Sequence, residues 1–401
     1  MLILLSVTSG IAVGNVYFPQ AIIPSIATGL DIGPEAAASI VTAVQVGYSV
    51  GLFLLVPLGD RIPYRRLILT LLGLTAAGLL AAGVAPGPDF LLLVGVQIGA
   101  TTVVAPIIGS MAAGLVPSDR RGAVGGVLLS GATGGMLLSR LEGGALAEVW
   151  GWRAPYLVAG IATLVVAFAV GRALPKAPAP TTERFLAVLA APVRLLWSES
   201  DLRRSCLYQA TVFAGFSAVW ATVGLLLAGP AYRLDERAVG VLALVNIATM
   251  FVTPVAGRLA DRHGPDRVNL VCLLGVVLAA GVLYPAAAGL ETAGGPATLI
   301  AGTLLLDVSM QSGMVANQVR IYALRPDARA RLNTAYMTCA YLGGAGGSAL
   351  GLRAYGQFGW HGVCGLVALL AGIALTRLRI GSTGTGLSGP SPVRAPKTHP
   401  A

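Results

Sequence analysis

The chain has 401 residues, 55% of them hydrophobic and 11% charged, with a formal net charge of +10. A soluble domain carries roughly 25% charged residues, so this chain has too little charge to clothe a soluble surface. The basic excess is scattered among short loops, which excludes a nucleic-acid-binding patch, and Cys206, Cys272, Cys339 and Cys364 sit in apolar runs without metal-ligand spacing.

The apolar runs are about 18 to 25 residues long, the length that crosses a ~30 Å hydrocarbon core. In that core each segment must satisfy its own backbone, so the runs are predicted as helices. Period-2 alternation is absent, which argues against a β-barrel. The prediction is an all-α membrane protein of about twelve spans, near 2–25, 36–58, 67–85, 90–115, 122–146, 154–173, 204–229, 237–257, 268–289, 296–323, 331–356 and 360–377. The first span lacks a basic leader and a small-residue cleavage site, so it reads as a span rather than a cleaved signal peptide. Residues 174–203 form the longest internal connection. It begins Pro/Ala-rich and continues with Phe185, Leu189, Val193 and Leu196 at helical spacing, as expected of a linker and an amphipathic helix on the membrane surface. It separates a six-span bundle over 1–173 from another over 204–378. The tail, 379–401, is rich in Gly, Ser, Thr and Pro and is expected to be disordered. With the amino terminus cytoplasmic, 22 lysines and arginines fall in inside loops and 4 in outside loops, which predicts that both termini are cytoplasmic. Arginine greatly outnumbers lysine, an association with GC-rich bacterial genomes, so the expected location is a bacterial inner (plasma) membrane.

Gly59 to Arg66 reads G-D-R-I-P-Y-R-R, and the pattern returns 201 residues later as A-D-R-H-G-P-D-R, Ala260 to Arg267. Asp60 maps on Asp261, Arg61 on Arg262 and Arg66 on Arg267. Two six-span halves, a linker and this repeated loop together resemble the major facilitator superfamily, over about residues 1–378. The family's loop signature is G-x-L-A-D-R-x-G-R-R. The second copy keeps Gly257, Leu259, Ala260, Asp261, Arg262 and Gly264. The first keeps Leu58, Asp60, Arg61, Arg65 and Arg66 and departs at Val56, Pro63 and Tyr64. The resemblance implies two pseudo-symmetric bundles that alternate access to a site between them. It also implies gating by Asp60, Arg61, Arg65 and Arg66 in one loop and by Asp261, Arg262 and Arg267 in the other. Such an aspartate can accept hydrogen bonds from a helix N-terminus and pair with arginines; the plainer alternative is charge that only sets topology.

In span five, Gly126 to Gly135 resembles the antiporter signature G-x-x-x-G-P-x-x-G-G. Gly126, Gly134 and Gly135 match, while Ser130 and Gly131 depart from it. Close helix packing is the alternative use of these glycines. Gly14–Ala27 and Asp307–Pro326 also look like the drug:proton antiporter branch of bacterial exporters. The arginine usual in span four is absent, and Gly95 stands there.

Ionisable groups within spans cost roughly 2.5–3.5 kcal/mol on insertion and are functional candidates. They are Asp307, Glu142 and Arg140. Asp307 lies mid-span, with Gln311, Met314 and Gln318 on the same helix face, and is the candidate for proton exchange. Arg140 and Glu142 point to different faces. Both could line an outward-opening cavity, or Arg140 could snorkel to the surface. Substrate-cavity candidates are Asn15 and Gln20 in span one, Gln45 in span two, Gln97 in span four, Gln209 and Trp220 in span seven, Asn246 in span eight, and Gln311 and Gln318 in span ten. Amides, hydroxyls and aromatics with few fixed charges suit a neutral or amphiphilic solute near the midplane. No Walker loop, metal cluster or nucleophile elbow is present, so an enzyme is not expected, nor a cofactor beyond a proton gradient. The expected function is proton-coupled efflux of small amphiphilic molecules by a monomer. The alternatives are uptake or export of a sugar-like metabolite, or a non-transporting sensor.

Overall fold

The computed structural model describes residues 1–115, 121–174, 185–245, 248–291, 294–325 and 328–384. Asn246 lies outside the described residues, as do the side chain of Asp60 and the tail from residue 385. Among the described residues every element is a helix.

Among the described residues ten helices are long and apolar enough to cross a membrane. The longest, within Arg329–Gly384, breaks at Gly359, where φ is 61°. A left-handed backbone of this kind is open to glycine and strained for other residues. The chain reverses there: a Cβ added at Gly351 would meet Ala218, and one added at Gly215 would meet Val367. Spans eleven and twelve are therefore a hairpin, and their helix continues to Gly384, beyond the predicted end at Leu378. The described helices of span eight are Glu236–Val245 and Thr249–His263. The other spans are two (Pro34–Leu54), three (Tyr64–Gly83), five (Arg121–Trp150), six (Arg153–Ala173), seven (Ser200–Ala228), nine (Pro265–Leu283) and ten (Gly294–Leu324). Span four runs as Pro88–Thr101 and Val104–Leu115. Proline at the first helical turn starts spans two, four and nine, where its missing N–H costs nothing.

Span one is discontinuous. The helix Leu2–Tyr17 gives way to a 3-10 turn, Phe18–Ala21, and resumes as Ile23–Leu30. Pro19 and Pro24 account for the break, because proline removes a backbone donor and clashes with the preceding turn. The chain at Gln20 is thereby turned within the bundle rather than at its end. Spans two and four meet through glycine: a Cβ added at Gly47 or Gly99 would collide with the facing backbone, which is how small residues let membrane helices approach.

The linker helix is Phe185–Ser198. Its buried face carries Ala191 and Leu195, while Val193 and Trp197 are exposed. The predicted apolar face is thus rotated, because Leu195 packs on Leu202, Cys206 and Tyr336 rather than on lipid alone.

Candidate functional site

At the centre of the molecule the two halves of the chain meet through charge. Arg140, on span five, is 0% exposed. Its Nε and Nη2 donate to Gln20 Oε1 at 3.2 and 2.8 Å. Its guanidinium lies 3.8 Å from the centroid of the Trp220 ring on span seven, a stacked cation–π contact in a desolvated place. The same indole donates from Nε1 to Asp307 Oδ1 at 3.0 Å. Asp307 is 2% exposed and attracts Arg140 electrostatically. The order Gln20–Arg140–Trp220–Asp307 thus runs from two residues of the first half to two of the second, and the halves meet where Arg140 lies on Trp220. Arg140 does not take the alternative of snorkelling to the surface, because Gln20 and the aromatic rings of Tyr17, Phe216 and Trp220 provide for its charge inside the bundle.

Next to this bridge is a cavity of about 270 Å³ lined by residues of both halves, among them Tyr17, Tyr48, Gln209, Phe213, Gln311 and Tyr341. Its wall includes Gly109, Gly125, Met314 and Asn333, which lie toward the span ends on the face bearing the linker. On its other side the halves are tied together. Tyr17 and Tyr341 share a hydroxyl hydrogen bond of 3.2 Å. Gln45 Nε2 donates to Ser217 at 3.4 Å, and Gln45 Oε1 accepts from Ser348 at 2.9 Å. Arg237 pairs with Glu148 farther out. The cavity therefore reaches toward the linker face and is closed from the opposite face. Span seven carries an aromatic series toward this cavity: Phe213 stacks on Phe216 with centroids 5.4 Å apart, and Phe213 meets Tyr341 at 4.9 Å.

Not every predicted residue joins this site. Gln209 and Gln311 line the cavity, Gln20 and Trp220 belong to the bridge beside it, and Gln45 to the ties between the halves. Gln318 is absent from the cavity lining, one turn beyond Met314. Asn15 turns away and donates to Thr163 of span six at 3.3 Å. Gln97 is used between spans three and four, donating to Leu74 O and Thr101 at 3.0 and 3.2 Å. Glu142 is exposed and lines a separate lateral groove of about 400 Å³ with Asn15 and Ser139. Of the span-five glycines, Gly131 and Gly135 pack on Ser6 and Gly10 of span one, whereas a Cβ added at Gly126 or Gly134 would meet nothing within 4 Å. Sequence reasoning missed Tyr17, Tyr48 and Tyr341, whose only signal was a tyrosine beside the Pro19 break and two in otherwise apolar runs.

The repeated loops hold different contacts. Arg65 donates from Nε and Nη2 to Gly171 O, near the end of span six, at 3.2 and 2.6 Å. Arg61 and Arg66 are exposed. Asp261, Arg262 and Arg267 are exposed as well, and none of them forms an ion pair among the described residues. The pairing aspartate is Asp266, which accepts from Arg204 of span seven and Arg320 of span ten. It occupies the first turn of span nine, where the helix dipole also favours a negative charge.

Residues 5–295 and 206–399 match the family described as Major Facilitator Superfamily. An uncharacterized transporter, YgaY, of Escherichia coli O157:H7 is 33% identical over 382 residues, covering 95% of this chain and 94% of that protein. A chloramphenicol resistance protein of Streptomyces lividans is 31% identical over 331 residues, 72% of this chain and 82% of that one. The crystal structure of the nucleoside transporter NupG (D323A mutant) superposes with a TM-score of 0.75 over 96% of this chain and 98% of that chain at 12% identity, which is a likeness of fold.

Proposed function

The chain belongs to the Major Facilitator Superfamily, and from that premise we propose that it exports small amphiphilic molecules in exchange for protons. The bridge from Arg140 through Trp220 to Asp307 carries this reading. Arg140 stands in the first half and Asp307 in the second, so their attraction holds the halves together when the transporter is empty. A proton on Asp307 removes one charge and loosens the bridge. A solute that engages Arg140 competes for the other end. Either event frees the halves to rock, whereas the empty, deprotonated protein stays locked, and that is the rule an exchanger must obey. With the termini and linker cytoplasmic, the described cavity is the inward-facing form. The ties at Tyr17–Tyr341, Gln45 and Arg237–Glu148 are its outer closure. Asp266 with Arg204 and Arg320, and Arg65 at span six, brace the inner ends of the helices in each half. The resistance function named for the Streptomyces lividans relative supports export, and the aromatic walls suit an amphiphile.

The test uses inverted bacterial membrane vesicles energised to an acid interior. Addition of chloramphenicol or another neutral amphiphile is expected to dissipate the gradient only where this protein is present. If no neutral or cationic amphiphile does so, exchange is wrong, and uptake of a metabolite takes its place.

A further inference from the structure

We propose that Gln20 and Arg140 form a subsite for an uncharged hydrogen-bond acceptor, so that the transported molecules are neutral amphiphiles bearing a carbonyl-type oxygen rather than organic cations. This rests on the reading above that the central space takes the solute, and it names the chemistry selected there.

Both side chains are fully buried, and each keeps a polar atom without a partner: Arg140 Nη1 and Gln20 Nε2. Buried donors left unpaired are costly, and folded proteins rarely tolerate them without a purpose. A guanidinium has donors and no acceptor. The atom of Gln20 that meets Arg140 must therefore be its carbonyl oxygen, and its NH2 is turned elsewhere. Each partner of this carboxamide–guanidinium pair thus keeps one free donor. What they lack is an acceptor.

The charge of the site points the same way. Arg140 has the faces of Tyr17 and Trp220 against it, so a ligand cation entering here would meet a fixed positive charge in a low-dielectric place. Asp307 is already engaged by Trp220. An uncharged oxygen brings a lone pair to Arg140 without adding a net charge to the site. Toward the linker face, Gln209 repeats the pattern: its oxygen accepts from the Tyr336 hydroxyl at 3.0 Å, and its Nε2 is buried without a partner. Gln209 and Trp220 are eleven residues apart on span seven, about 16 Å at the rise of an α-helix. An elongated amphiphile with an acceptor near each end fits this spacing.

The subsite is shut in the described conformation. The Tyr17 ring lies between Arg140 and the cavity, and its hydroxyl bonds to Tyr341 across the halves. A shift of the Tyr17 side chain, with loss of its bond to Tyr341, therefore uncovers the donors from the cavity before the halves part.

Two probes of nearly equal shape separate acceptor from cation. Triphenylphosphine oxide is neutral and carries a strong acceptor oxygen, and methyltriphenylphosphonium is a cation with a methyl group in place of that oxygen. Binding of each is measured by calorimetry on the purified full-length protein in detergent, with no gradient. The oxide is expected to bind at least about tenfold tighter than the phosphonium. Gln20→Glu keeps the oxygen that Arg140 uses and replaces the NH2 by a second oxygen, so it should weaken the oxide by at least about tenfold. Phosphonium binding as tight as the oxide overturns the proposal, and so does an unchanged oxide affinity in Gln20→Glu. If Gln20→Glu fails to fold, the comparison of the two probes on the unmodified protein still decides. Oxide binding without gradient dissipation contradicts exchange and leaves the subsite standing. Dissipation by the phosphonium alone overturns the subsite and leaves exchange standing.

Discussion

Between spans two and three, Pro63 leads into the helix with φ −50° after a 3-10 turn, Val56–Asp60. At the equivalent place between spans eight and nine, 201 residues later, the helix runs on to His263 and turns on Gly264 with φ 85°. Two positions farther on the charge inverts. Arg65 in the first half donates to a carbonyl near the end of span six, and Asp266 in the second half gathers Arg204 and Arg320. The centre shows the same division, with Arg140 from the first half and Asp307 from the second. The repeat thus preserves where charge is placed but not which partner receives it. Between the halves the two signs become complementary, and that complementarity is what a rocking transporter can make and break.

Several substitutions would break or sharpen this contrast. The largest effect belongs to Arg140→Met, which leaves Asp307 buried without its countercharge. A loss of about 3–5 kcal/mol is expected, read as a lowered unfolding midpoint in detergent, and a midpoint within error of the parent would show that the two charges do not depend on each other. Gly264→Ala comes next. A Cβ there meets nothing within 4 Å, so the cost is backbone strain alone, about 2 kcal/mol. Pro63→Ala at the matching site should cost less than about 1 kcal/mol, because its backbone is open to any residue. Equal effects at the two positions would mean that the loops are not conformationally distinct. The smallest contrast lies within one loop. Asp266→Ala should cost about 1 kcal/mol, discounted for its exposed carboxylate, whereas Asp261→Ala should stay within about 0.5 kcal/mol. The reverse order would return the pairing to the residue the repeat singled out.

Much of the fold was legible because it rests on lengths. Apolar runs and loop charges follow from what a bilayer demands of a chain, and the 201-residue offset is a repeat visible in the chain itself. The site was legible where a residue was costly. Arg140 and Asp307 stood out because ionisable groups in spans are rare. Their association did not stand out, since Trp220 lies 80 residues from Arg140 and only tertiary packing brings its ring beneath the guanidinium. Arg140 was open to a snorkelling reading because sequence gives depth but not the side on which Gln20 waits. Asn15 and Gln97 look like cavity amides by composition, yet each satisfies a neighbouring helix of its own half. Asp266 was passed over because the repeat pattern pointed to Asp261, five residues earlier. The rule that acids favour the first helical turn marks position 266 without any family pattern.

The central claim is that the charge on Asp307 locks the empty transporter and that a proton unlocks it. The most direct measurement follows radiolabelled chloramphenicol in proteoliposomes containing either the parent protein or Asp307→Asn, with and without an imposed proton gradient. Asparagine keeps the acceptor for Trp220 and removes the charge. The account predicts that the variant still lets the solute run down its own gradient while gradient-driven accumulation, present in the parent, is lost. Accumulation by Asp307→Asn equal to that of the parent would contradict it.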